Sequence, residues 1–181
     1  MQPLLFTLPH LTSLYKEEES PPRRGERKSK GKGHKKIKKS EKGTPLIERT
    51  FSMVKPDAVS KNQIGEIIRR LEAASLKVIA LNMTQLKEEK AQQFYHVHRE
   101  RPFFKNLISF ICSGKVVPMV LEGEDAVLST RALIGATNPK EAKKGTIRSD
   151  FGTSIEANAI HASDSKETAS FEISVFFPDL S

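Results

Sequence analysis

At 181 residues the chain has room for one domain with a proper core and a tail, and hardly for two. Its net charge of +8 invites a nucleic-acid or membrane role, but residues 1–44 hold 12 Lys+Arg against 5 Asp+Glu, a net of +7, leaving 18 against 17 over residues 45–181. The single cysteine, Cys112, excludes an internal disulfide and suits a reducing, cytoplasmic setting, and no run approaches the roughly 18 apolar residues of a membrane span.

Met1–Tyr15 carries Leu and Phe, but Pro3, Pro9 and His10 interrupt it, and it lacks the basic start and cleavage site of a signal peptide. From Glu17 to Thr44 the chain is almost entirely Lys, Arg, Glu, Ser, Gly and Pro, a composition that buries too little apolar surface to offset the entropy of ordering. Residues 1–44 are therefore expected to be a basic, disordered extension. It can serve as an anchor for RNA or acidic partners or be a solvated tail; the absence of interleaved aromatic residues favours the tail.

After Thr44, Ile47, Phe51 and Met53 alternate with Glu48, Thr50 and Ser52, the period of a half-buried strand that Pro56 ends. Ser60 is then expected to cap a helix whose stripe is Ile64, Ile67, Ile68 and Leu71. A second strand, Val78–Leu86, precedes a helix carrying Ala91, Phe94 and Tyr95. Pro102 opens another helix, with Phe103, Leu107, Ile108 and Ile111 as its buried stripe. Val116–Leu121 reads as a strand, with Pro118 placed at an edge or a bulge because it has no proton for a ladder. A short helix from Glu124 stops at Gly135. Residues 135–158 are loop-rich, and a long loop rich in Arg and Thr points to function. Ala159–Ala162 is a short extended piece feeding a last helix capped by Ser163, Asp164 and Ser165, with Asp164 and Glu167 at capping-box spacing. Strands and helices mix without strict alternation, which favours an α+β fold with a largely antiparallel sheet.

Glu172 lies among Ala169, Ile173, Val175, Phe176 and Phe177, so its carboxylate projects at the margin of a buried helix face and needs a partner. His161 is the nearest in sequence. Glu172 accepting one ring N–H would leave the other nitrogen as a bare nucleophile. From this pair alone, a nucleophile with its orienter and a buried ion pair are equally consistent. Lys55 continues the face of Phe51 and Met53, where a cation suits an anionic ligand, although a lysine snorkelling at a strand end fits as well. Arg131, Thr137 and Arg148 are the group types that hold phosphate oxygens. There is no GxxxxGK[ST] run, which rules out a P-loop site, and His96 and His98 read as structural.

Together these residues resemble nucleoside diphosphate kinases over residues 46–178. The segments IERTFSMVKPDAV, RPFFKNLI, LIGATNPKEAKKGTIRSDF and NAIHASDS, followed by Glu172, are similar to that family's segments in order and spacing. The resemblance implies a ferredoxin-like βαββαβ domain over residues 45–181, with a four-stranded sheet covered by helices, assembled into homo-oligomeric hexamers or tetramers. It implies ping-pong exchange of the γ-phosphate between ATP or other nucleoside triphosphates and nucleoside diphosphates. His161 would carry the phosphoryl group, oriented by Glu172, with Tyr95 and Lys55 near the transferring phosphate. Arg131, Thr137 and Arg148 would hold the phosphates, Lys55 and Asn158 the ribose, and Phe103 and Ile155 the base. Mg²⁺ would ride on the nucleotide's phosphates without a protein cage. Departures are Ala162, where many members have Gly, the absence of the longer C-terminal segment of many hexameric members, and the basic extension, through which alone nucleic acid could bind.

Overall fold

The computed structural model describes residues 46–180, so the expectations for the segment 1–44 lie outside the described residues. The strands are β1 (Ile47–Val54), β2 (Lys77–Leu81), β3 (Thr84–Gln85), β4 (Lys115–Glu124) and β5 (Ile160–Ala162). The helices are α1 (Pro56–Ser60), α2 (Ile64–Ala73), α3 (Glu88–Phe94), α4 (Phe104–Cys112), α5 (Ala126–Ile134), α6 (Ile147–Phe151) and α7 (Lys166–Phe176). Four strands run β2-β4-β1-β5, every pairing is antiparallel, and the two-residue β3 adds a fifth beside β4. Without β3, the order is the expected ferredoxin-like βαββαβ, with α3 and α4 inserted between its second and third strands.

Strand alternation supplies two cores. Val54 of β1 and Val117, Met119 and Leu121 of β4 pack with Ile67 and Leu71 of α2 and Ala126 and Ile134 of α5. Phe51 and Met53 face the other way, onto Phe94, Ile108, Ile111 and Ile173 from α3, α4 and α7. β1 is therefore covered on both faces at its C-terminal end, not half-buried as its period suggested. Thr50 and Ser52 are fully buried, and the Ser52 hydroxyl donates to the His161 carbonyl at 2.7 Å.

Pro118 lies in a central strand, opposite Met53, and not at an edge. Its carbonyl accepts the Asn82 N–H at 3.1 Å. In an antiparallel ladder the nitrogen and oxygen of one residue face the same neighbour, so the protonless nitrogen faces the gap between β2 and β3. That gap splits the single strand expected over Val78–Leu86. Ser60 does not cap α2: it closes α1, donating to the Asp57 carbonyl at 3.0 Å, and Gln63 takes the cap position. Pro56 starts a helical turn earlier than the apolar spacing indicates, and Asn62, with φ of 58°, separates the two helices. Phe103 caps α4 at 46% exposure and leaves the buried stripe to Leu107, Ile108 and Ile111.

α5 stops at Gly135, whose φ of 84° is left-handed and where a Cβ would collide with the Thr146 side chain. Within residues 135–158 the chain forms α6, a helix the loop-rich composition concealed. At α7 the capping box joins Ser165 to Thr168, not Asp164 to Glu167: Ser165 Oγ accepts the Thr168 N–H at 3.2 Å, and Thr168 Oγ1 accepts the Ser165 N–H at 2.9 Å. Asp164 instead accepts the Thr168 hydroxyl at 2.6 Å.

Candidate active site

β5 is an edge strand whose register sets Met53 opposite His161, so the imidazole projects on the Phe51–Met53 face. Phe94 stands edge-on to the ring at 5.1 Å between centroids, and Tyr95 at 6.0 Å and 89°. His161 Nε2 lies 2.8 Å from Glu172 Oε1. A carboxylate can only accept, so Nε2 carries the proton and Nδ1 keeps its lone pair, with no hydrogen-bond partner among the described residues. The Ser163 hydroxyl donates to Glu172 Oε2 at 2.6 Å, so both carboxylate oxygens are engaged and the buried charge is compensated. Ser163 carried no signal beyond its apparent part in a helix cap; Ser165 holds that position, which leaves Ser163 free for the carboxylate.

Lys55 follows β1 on the same face and is buried. Its Nζ donates to Asn158 Oδ1 at 2.8 Å and to the Glu156 carbonyl at 3.0 Å. Burial, aided by the Arg148 charge, pushes its pKa down to about 8, with Asp57 and Glu156 opposing. Arg148 is fixed by backbone: Nε and Nη2 donate to the Ile160 carbonyl at 3.2 and 3.0 Å, and Nη1 to the Gly135 carbonyl at 3.0 Å. Burial and the neighbouring Arg131 bring it to about 10, which leaves a rigid cation at neutral pH. Tyr95 is buried, its hydroxyl has no hydrogen-bond partner among the described residues, and burial with the Glu172 charge pushes its pKa upward. It remains a phenol with a proton to donate. Asn158 also donates to the Thr137 carbonyl at 3.0 Å, joining two loops.

One cleft of about 950 Å³ is lined by all ten residues singled out in the sequence: Lys55, Tyr95, Phe103, Arg131, Thr137, Arg148, Ile155, Asn158, His161 and Glu172. Phe103 and Ile155 are 46% and 60% exposed, apolar surface left bare on separate elements of its wall. Apolar side chains, the cations Lys55, Arg131, Lys140 and Arg148 and a bare nitrogen nucleophile suit a ligand with a flat apolar part and an anionic part.

The family model described as nucleoside diphosphate kinase matches residues 48–181. The nucleoside diphosphate kinase of Paracidovorax citrulli is 59% identical over 134 residues, 74% of this chain and 95% of that one.

The chain belongs to the nucleoside diphosphate kinase family.

Solved structures of the family share its fold. The Aquifex aeolicus nucleoside diphosphate kinase superimposes with a TM-score of 0.73 at 48% identity, covering 75% of this chain and 98% of that one. A halophilic nucleoside diphosphate kinase from Halobacterium salinarum, solved in complex with CDP, gives 0.71 at 45% identity, covering 73% and 88%. Ala162 is unstrained: it pairs with Ser52 in β5, and the left-handed φ of this segment, 68°, falls on Ala159. His98, read as structural, lines the cleft beside Tyr95 and Phe103, with ring centroids 6.3 and 5.8 Å away. It does not continue the α3 helix, which ends at Phe94; a 3-10 turn carries His96–His98. Among the described residues no His, Cys, Asp and Glu cluster could hold a metal ion, and no helix is long and apolar enough to cross a membrane.

Proposed function

We propose that this protein is a nucleoside diphosphate kinase in activity as well as in family, transferring the γ-phosphate between nucleotides through a phosphohistidine at His161 Nδ1. The observation that carries this is the His161–Glu172–Ser163 chain, which fixes the proton on Nε2 and leaves Nδ1 as the nucleophile in a cleft lined by cations. The Nδ1 lone pair attacks the γ-phosphorus while its bond to the bridging oxygen breaks. The departing nucleoside diphosphate takes that electron pair, and a second diphosphate attacks the phosphohistidine to reverse the sequence. Tyr95 and Lys55 donate to the transferring group, Arg131, Thr137 and Arg148 hold the remaining phosphates, and Lys55 and Asn158 meet the ribose. Phe103 and Ile155 sandwich the base without reading its edges, so many bases are accepted. The substrate is the Mg²⁺ complex of the nucleotide. Of the cleft carboxylates, Glu172 is committed to His161 and Ser163 and Asp164 to Thr168, and Glu156 is a single exposed carboxylate, a donor set that suits an ion borne by phosphates. A homo-oligomer, hexameric or tetrameric, accompanies this reading and is tested by sizing the protein.

Steady-state exchange between ATP and GDP should give parallel double-reciprocal lines, the pattern of a covalent intermediate. Intersecting lines would show that both nucleotides must bind together and would refute the mechanism. The alkaline limit should fall where Lys55 loses its proton. Because burial holds that value to about 8, kcat/KM should decline as pH rises through about 8 and level off about a unit below it, which a pH–rate profile measures.

A further inference from the structure

His161 is presented by a turn that the chain would not adopt unaided. The Ile160 N–H donates to the Asn158 carbonyl at 2.8 Å, closing a three-residue turn around Ala159, whose φ is 68°. Such a turn is strained for a residue with a Cβ and persists only where surrounding contacts enforce it. Those contacts come from the β1–α1 junction. The Ala159 carbonyl accepts the Lys55 N–H at 2.9 Å, and the Ala159 N–H donates to Asp57 Oδ2 at 2.9 Å. Lys55 precedes Pro56 and is therefore extended, with φ −87° and ψ 164°, which sends its side chain into the cleft while Asp57, two residues on, reaches the turn. The other carboxylate oxygen, Oδ1, is buried with no hydrogen-bond partner among the described residues.

We propose that Asp57 is a positioning residue for phosphoryl transfer: through the Ala159 amide it holds the turn that presents His161, from the same β1–α1 junction that sends Lys55 into the cleft. This rests on His161 being the nucleophile. The groups facing Lys55 are Asp57 and Glu156, which favour its ammonium form, Arg148, which opposes it, Asn158, which accepts from it, and the Phe110 ring of α4 at 5.8 Å. Without the Asp57 charge, burial and Arg148 act with less opposition, and Lys55 loses its proton at a lower pH.

The test uses the full chain and single-turnover transfer from γ-labelled ATP to His161 as a function of pH. Asp57→Ala removes both the clamp and the charge, and should slow labelling by about tenfold or more with the half-saturating ATP concentration changed less than about twofold. Asp57→Asn keeps a carbonyl for the Ala159 N–H. It should label within about threefold of wild type near pH 7, yet lose activity at a pH lower by about half a unit or more. A wild-type rate in Asp57→Ala, or an unmoved alkaline limb in Asp57→Asn, overturns the inference. If Asp57→Ala does not fold, the Asp57→Asn profile alone decides. A wild-type protein that takes no label on His161 would instead remove the nucleophile, and this inference with it.

Discussion

His161→Asn should leave the protein folded and reduce nucleotide exchange by about a thousandfold or more, because the variant retains the cleft and lacks the nucleophile proposed to accept the phosphoryl. The half-buried ring contributes edge contacts with Phe94 and Tyr95 and one hydrogen bond to Glu172, so its loss costs stability modestly. An asparagine amide can still donate toward Glu172. Nucleotide binding, measured separately by titration with ADP, should persist, since Lys55, Arg131, Thr137 and Arg148 are untouched. Turnover above about a hundredth of wild type would mean that the phosphoryl passes directly between nucleotides or through another group.

Glu172→Gln should lower kcat by about a hundredfold to ten-thousandfold with KM for nucleotide little changed, by reversing the proton pattern of the imidazole. The Ser163 hydroxyl donates to Oε2 at 2.6 Å and selects the glutamine carbonyl for that position. The amide NH₂ then faces Nε2, which must accept, and the ring proton moves to Nδ1 and occupies the attacking lone pair. Adding Ser163→Ala frees the amide to turn over, so the double variant should recover part of the lost rate. Steady-state kinetics of the two variants decide it. A Glu172→Gln enzyme within about tenfold of wild type would reduce Glu172 to a packing role.

Where local rules act alone, the sequence was legible. Ile67 and Leu71 on one face of α2 and the stop at Gly135 follow from side-chain spacing and from the left-handed conformation that glycine tolerates. A carboxylate on an apolar helix face pointed to His161 for the same reason, since a buried charge requires a partner. What escaped depends on which elements meet in space. The Pro118 nitrogen is harmless in a central strand only because β2 breaks opposite it, which no window around Pro118 reveals. Phe103 fits the periodicity of a buried stripe, yet the cleft leaves it bare. Asp57 lies in the first turn of α1, a helix the apolar spacing did not show, and its bond to Ala159, 102 residues away, appears only when β5 pairs with β1. The periodicities alone left His161 balanced between nucleophile and ion-pair partner. The resemblance named the reaction, and the geometry then supplied a proton assignment that neither contained.

The phosphoenzyme itself tests that proton assignment most directly. Wild-type protein should be incubated with γ-labelled ATP and Mg²⁺ without an acceptor, the acid-labile phosphoprotein isolated, and the phosphohistidine isomer determined. The label should sit on His161 at Nδ1 and discharge fully when GDP is added. Label on Nε2, on another residue, or resistant to GDP would contradict it.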